Sequence, residues 1–203
     1  MIPDPDPQMF LRINGFARDT SWLHPIMTCY ADYGIVVFAA LLLAGGWIAR
    51  RHGDLTLLAA AVWAPLGALA AVAINQPIAQ VIAEPRPYAM LPHILVLAQH
   101  TSDSSFPSDH AVLAGALAAG LWPVNRRLGI VAVFAAVAMA FARVYIGAHY
   151  AHDVLAGLAL GATVSVLGFS ASRPSLLRLL RRVGQSRLRP LLGSTAVPEM
   201  TTQ

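Results

Sequence analysis

The sequence predicts an all-α integral membrane helix bundle, with about five transmembrane helices plus an N-terminal interfacial helix. Three observations carry this expectation. Hydrophobic residues make up 57% of the chain and charged residues only 12%, against about 25% charged in an ordinary soluble domain. The apolar residues come in runs approaching or exceeding the roughly 20 residues that a bilayer-crossing helix needs. The charge is also unevenly placed, because all 14 basic residues are arginine and most stand at a few positions between or after the apolar runs.

Each element follows from its local composition. Gln8 to Arg18 mixes Met9, Phe10, Leu11, Ile13 and Phe16 with Arg12 and Arg18; it is too polar to span and reads as an interfacial helix. Asp4 and Asp6 stand where a signal peptide would carry basic residues. Five spans are expected: Ile26 to Ala49, Leu55 to Ala83, a shorter one from Ser108 to Trp122, Leu128 to Ile146, and His149 to Phe169. The chain then divides into an N-terminal extracytoplasmic segment (1–25), a membrane domain (26–170) and a basic tail (171–203). In the tail, Leu176 to Val183 alternates leucine pairs with Arg178, Arg181 and Arg182. That is the pattern of an amphipathic helix on the anionic cytoplasmic leaflet, and membrane lipid accounts for the charge without a nucleic-acid partner. Cys29, the single cysteine, cannot form an internal disulfide and reads as core packing.

Arginine placement orients the bundle, since short cytoplasmic loops collect positive charge. With five spans, Arg50 and Arg51, Arg126 and Arg127, and the arginines of the tail share one side. The opposite, outward side holds the acidic N-terminus, the long loop from Glu84 to Pro107 and the turn near Gly147. This predicts a multi-pass plasma-membrane protein.

Three polar segments lie at that outer boundary, where polar groups are costly and need a reason to persist. In Glu84-Pro85-Arg86-Pro87-Tyr88, the prolines hold the backbone extended and fix a guanidinium just beyond the second span. Alone, this is a snorkelling arginine with Glu84 paired to a nearby arginine. In Phe106-Pro107-Ser108-Asp109-His110, Ser108 or Asp109 caps an alanine-rich helix whose first amides make an anion site. Ser108 can donate its hydroxyl to a phosphate oxygen, and His110 can protonate a leaving oxygen. Ser102, Asp103, Ser104 and Ser105 read as ordinary loop. In the third segment, Arg143 ends the fourth span and Gly147 permits a tight turn. His149 opens the fifth span with Asp153 on the same helical face four residues on. Asp153 can then fix the ring tautomer and leave the other nitrogen free to attack. A metal site of His149, His152 and Asp153 is the rival reading, but converging arginine and serine donors repel a cation and suit phosphate. A transporter with a boundary anion site is the reading from another class, although transport residues belong near mid-membrane.

Together these segments resemble the type 2 phosphatidic acid phosphatase superfamily, whose pattern is Lys-x6-Arg-Pro, Pro-Ser-Gly-His and Ser-Arg-x5-His-x3-Asp. This chain has Arg86-Pro87, Pro107-Ser108-Asp109-His110, and Ala142-Arg143 through His149 to Asp153. It departs at Ala79 for the lysine, Asp109 for the glycine and Ala142 for the serine. Pro-Ser-Asp-His with Pro-Arg-Pro-Tyr is similar to the bacterial branch that dephosphorylates polyprenyl diphosphate carriers such as undecaprenyl diphosphate. The resemblance implies a lipid phosphatase without metal or other cofactor. His149 is the expected nucleophile, Asp153 its orienter and His110 the acid, with Arg86, Arg143, Ser108 and Asp109 around the phosphate. A phosphatidate or phosphatidylglycerol phosphate is the alternative substrate.

Overall fold

A computed structural model describes residues 7–186; Asp4, Asp6, Arg187 and Arg189 lie outside them. The described residues form α1 (Pro7–Asp19), α2 (His24–Tyr33), α3 (Ile35–His52), α4 (Leu55–Ile82), α5 (Pro87–Met90), α6 (Asp109–Leu121), α7 (Arg126–Tyr145) and α8 (Ala151–Gly184). Helices α3, α4, α7 and α8 are long and apolar enough to cross a membrane. Large apolar side chains such as Leu43, Leu69, Val81 and Phe134 are exposed on them, as expected where lipid rather than water is the surrounding solvent.

Helix ends are set by local chemistry. The Asp54 side chain accepts from Thr56 N at 2.6 Å and starts α4. Asn125 does the same for α7, accepting from the amides of Arg127 and Leu128. Gly147, at φ +80°, makes the sharp reversal from α7 into α8.

Several expected boundaries shift. The first apolar run is divided into α2 and α3 around Gly34, because α2 is tied sideways to α7 by a Tyr30 hydroxyl donating to Ala135 O at 2.8 Å. Cys29 is exposed on α2 and takes no part in the core. The expected third span is α6, only 13 residues long, and among the most thoroughly buried parts of the molecule. Of the expected tail, residues 187–203 lie outside the described residues, and residues 171–184 do not form a separate helix. They continue α8 through Pro174 to Gly184, and Leu180 is buried with Ala49, Leu58 and Val124 at the arginine-bearing end of the bundle.

Helix α6 is the central post, packed against α4, α7 and above all α8. Small residues allow this. A Cβ on Gly161 would fall onto the Val112 carbonyl, and one on Gly157 would lie 2.8 Å from Ser108 O. The close approach therefore sets the height of the α6 N-terminus against the start of α8. Helix α1 crosses the same end. Phe10 packs edge-on to Tyr150 with ring centroids 5.6 Å apart. Buried Asn14 clamps the following loop by donating to Leu95 O at 2.7 Å and accepting from Leu95 N at 3.0 Å. Thus α1 holds the loop over the bundle end as well as presenting Met9, Leu11 and Phe16 outward.

Replacing Gly161 by Val should lower the midpoint of thermal unfolding in detergent, because overpacking a tight contact costs about 1–3 kcal/mol. Gly15→Ala, where an added Cβ meets nothing within 4 Å, should leave the midpoint nearly unchanged. Equal effects at the two positions would remove the α6–α8 approach as a structural constraint.

Candidate active site

The polar segments converge at one end of the bundle: the C-terminal ends of α4 and α7, the N-terminal ends of α6 and α8, and the loop between α5 and α6. They line a cavity of about 410 Å³ whose walls include Arg86, Asp103, Asp109, His110, Arg143 and His149.

His149 is its focus. The ring is almost fully buried, and Nδ1 lies 2.8 Å from the Ser105 carbonyl. A carbonyl can only accept, so Nδ1 carries the hydrogen and Nε2 keeps its lone pair. Nε2 lies 3.4 Å from Arg86 Nη1 and 3.3 Å from Arg143 Nη2. Two guanidinium forks thus flank the one ring nitrogen available for attack. Burial lowers the pKa of His149, the charges of Arg143 and Arg86 push it the same way, and its hydrogen bond toward Asp153 opposes them. The net result is a neutral imidazole at neutral pH.

His149 does not open α8. It precedes the helix, whose N-cap is Tyr150, so Asp153 meets it differently from a side chain one helical turn away. Asp153 Oδ2 lies 3.5 Å from His149 Nδ1. Its closer bonds come from Tyr150 N at 2.8 Å and Ser105 Oγ at 2.5 Å. Asp153 therefore reaches the ring mainly by holding Ser105, whose carbonyl then holds Nδ1. Ser105 is completely buried and belongs to the site, contrary to the ordinary-loop reading. Asp103 belongs there too. Its backbone carbonyl accepts from Arg86 Nε at 3.2 Å and its carboxylate from Nη2 at 2.9 Å. Burial would raise the Asp103 pKa, but a Thr101 hydrogen bond and the Arg86 charge outweigh it and hold the group below its ordinary value. The signal for both residues was the run of serine and aspartate directly before an apolar helix.

Ser108 occupies the N-cap position of α6 but makes no side-chain cap bond. Its hydroxyl is buried without a hydrogen-bond partner among the described residues, and so is Arg143 Nε. Unsatisfied buried donors are costly, and two of them at this end of the bundle suit a polyanion. His110 lines the same cavity from the first turn of α6. Asp109 also lines it, but its carboxylate accepts from Asn75 Nδ2 at 2.7 Å and from Gln76 Nε2 at 3.0 and 3.2 Å. Those bonds turn both carboxylate oxygens toward α4, so Asp109 stands as a wall of the cavity held by acceptor bonds.

The metal triad of His149, His152 and Asp153 does not form, since both ring nitrogens of His149 are directed elsewhere. His152 Nε2 instead sits 3.0 Å from Glu84 Oε1 and 3.0 Å from Asp153 Oδ1. Glu84 is thus paired with a histidine and not with an arginine. Glu84, His152 and Asp153 do bring three potential ligand atoms within 4.8 Å of one another, but none of the three lines the cavity.

The PAP2 superfamily description matches residues 60–175, the segment carrying all of these motifs. The undecaprenyl-diphosphatase BcrC of Bacillus subtilis (strain 168) is 33% identical over 170 residues, covering 81% of this chain and 83% of that protein. A Bacillus licheniformis protein named bacitracin transport permease protein BcrC is 28% identical over 160 residues, 79% and 77% of the two chains. The crystal structure of Aquifex aeolicus LpxE matches with a TM-score of 0.61 at 22% identity, over 80% of this chain and 93% of that one. The PAP2 type phosphatidylglycerolphosphate phosphatase of Bacillus subtilis gives 0.59 at 22% identity, over 81% and 86%. The chain belongs to the PAP2 superfamily.

If Nε2 is the attacking atom, His149→Ala should abolish phosphate release while the protein remains folded in detergent. The lowered pKa sets the sign of the pH effect: acid protonates Nε2 and removes the nucleophile. The acidic limb of kcat/KM should therefore lie below about pH 6.5, the ordinary histidine value. An acidic limb well above that value would assign it to another group.

Proposed function

We propose that this membrane lipid phosphatase hydrolyses a polyprenyl diphosphate, an undecaprenyl diphosphate-like carrier, to the monophosphate on the outer face of a bacterial plasma membrane. The observation that carries the reading is His149 Nε2 within 3.4 Å of both Arg86 and Arg143, with the Ser108 hydroxyl at the start of α6 buried and unpartnered among the described residues. The lipid side is supported by an apolar pocket of about 150 Å³, lined by Ile35, Phe38, Val72, Leu113 and Met139, that shares Asp109 and His110 with the polar cavity. An amphiphile can lay its chain in the first while its phosphates enter the second. The name of the Bacillus subtilis relative points to the same substrate class.

In the proposed reaction, Nε2 attacks the terminal phosphorus and the bond to the bridging oxygen breaks. His110 gives its proton to that oxygen, and the lipid monophosphate leaves. Water, deprotonated by the same histidine, then attacks the phosphohistidine and releases inorganic phosphate. Arg86, Arg143 and Ser108 hold the equatorial oxygens while charge builds on them. Asp153 and Ser105 keep the ring in its attacking tautomer.

The permease name of the second relative gives a transport reading its one specific support. Against it, the charged residues of the cavity gather at one end of the bundle and line no path through its middle.

Purified protein in detergent should release phosphate from a polyprenyl diphosphate faster than from phosphatidate or phosphatidylglycerol phosphate. Vanadate, which adopts the trigonal-bipyramidal geometry of the transition state, should inhibit, and a chelator should not. Preference for a monophosphate lipid would replace the substrate, and chelator-sensitive activity restored by added metal would replace the mechanism.

Orientation has its own test. The cavity lies at the end opposite Arg50, Arg51, Arg126, Arg127 and the end of α8, the side that the positive-inside rule places in the cytoplasm. Single cysteines between Met90 and Ser104, in a Cys29→Ser background, should react with an impermeant thiol reagent on intact cells. Labelling only after the cytoplasmic side is opened would invert the topology.

A further inference from the structure

Helix α4 carries two amides that the reaction above does not use: Gln76 in the wall of the proposed phosphate cavity and Asn75 buried behind Asp109. Asn75 is completely buried. Its Nδ2 donates to Pro107 O at 3.1 Å and to Asp109 Oδ1 at 2.7 Å, while its Oδ1 has no hydrogen-bond partner among the described residues. A side chain buried at that cost is held for its donors. The neighbouring Gln76 donates to both oxygens of Asp109. Ala79, one helical turn on, lines the same cavity and leaves the space beside these amides without a cation.

Asp109 needs such a partner. It is an exposed carboxylate in a cavity built to receive an anion, adjacent in sequence to Ser108 and His110. Left free, it repels phosphate or swings toward the Arg143 guanidinium and competes with it. Pinned against α4 by amide hydrogens, it is neutralised in part and kept to the side. The same bonds fix the Pro107–Asp109 joint, and so the positions of the Ser108 hydroxyl and the His110 ring.

We propose that Asn75, assisted by Gln76, is a positioning residue for phosphate recognition, and that it acts through Asp109. An amide-held carboxylate at Asp109 thereby takes the place of a cavity with lysine at 79 and glycine at 109. The proposal rests on the cavity being the phosphate site, and it separates a packing role for Asn75 from a polar one. If Asn75 only fills space, its loss hurts whatever stands at 109. If it restrains a carboxylate, its loss hurts only while the carboxylate is there.

The test is a double-mutant cycle on the full-length protein in detergent, read by vanadate affinity (thermal shift) and by KM and kcat for a polyprenyl diphosphate. Asn75→Ala should weaken vanadate binding and raise KM by roughly tenfold, the scale of a lost charge-assisted hydrogen bond, with a smaller change in kcat. In an Asp109→Gly background the same Asn75 substitution should change both by less than about twofold. Gln76 is exposed, so Gln76→Ala keeps the fold and should shift vanadate affinity in the same direction, again only when Asp109 is present. Equal losses in the two backgrounds would overturn the proposal, as would a fall in kcat with unchanged vanadate affinity. Coupling in vanadate binding without turnover of the polyprenyl diphosphate would sustain it and discard the substrate instead.

Discussion

Asp153 is the node on which this site depends. Its side chain is completely inaccessible, and a carboxylate in such a place survives only if its oxygens are met. Here Oδ2 accepts from the Tyr150 amide and the Ser105 hydroxyl, Oδ1 makes no hydrogen bond among the described residues but lies 3.0 Å from His152 Nε2, and the backbone carbonyl accepts from Ser108 N at 3.2 Å. One residue therefore ties the first turn of α8 to the loop above it and to the α6 N-terminus. It orients His149 indirectly, by fixing the serine whose carbonyl holds Nδ1. Removing it loosens three segments at once, so a loss of activity on mutation does not by itself measure the His149 contact.

The scaffold makes that node possible by bringing two helix starts together. Gly157 and Gly161 let α8 lie against α6 closely enough for Ser108 and Asp153 to share a backbone hydrogen bond. The shortness of α6 serves the same end. At 13 residues, it lets its N-terminus meet the start of α8, where Ser108 N donates to Asp153 O.

Much of this was legible because polar residues at the edge of apolar runs are expensive. Arg86, Ser108, His110, Arg143 and His149 announce themselves by type and place; the structure brings Arg86, His110, Arg143 and His149 to one cavity, with Ser108 buried between its wall residues Pro107 and Asp109. What was not legible depends on backbone conformation rather than residue type. The acceptor for His149 Nδ1 is a main-chain carbonyl, which any residue could supply at position 105. The i,i+4 reading of His149 and Asp153 assumed a helix that begins two residues later. Asn75 and Gln76 did carry a signal, being polar residues inside the second apolar run, but their partner lies 33 and 34 residues away in the chain. Spacing cannot reveal such a pairing. The division of the first span at Gly34 was equally hidden, since its cause is a tyrosine reaching α7.

Without lysine, the proposed site would bind its anion with guanidiniums and amides alone. An ammonium is a point charge and can sit anywhere near a phosphate; a guanidinium is a planar fork whose direction matters. Arg86 is aimed by Asp103 and by the Ala148 carbonyl, which accepts from its Nη1 at 3.1 Å. Arg143 Nη2 lies 3.3 Å from the same His149 nitrogen as Arg86, so in the proposed reaction a phosphorus bonded to Nε2 would have two guanidiniums within reach of its oxygens. In the proposed reaction, binding would exchange the exposed Asp103 carboxylate on Arg86 for a phosphate oxygen and would give the buried Arg143 Nε, unpartnered among the described residues, an acceptor. The cation count is lower than a lysine would give. The donors, however, are fixed before the substrate arrives, and preorganisation rather than total charge is what lowers a phosphoryl-transfer barrier.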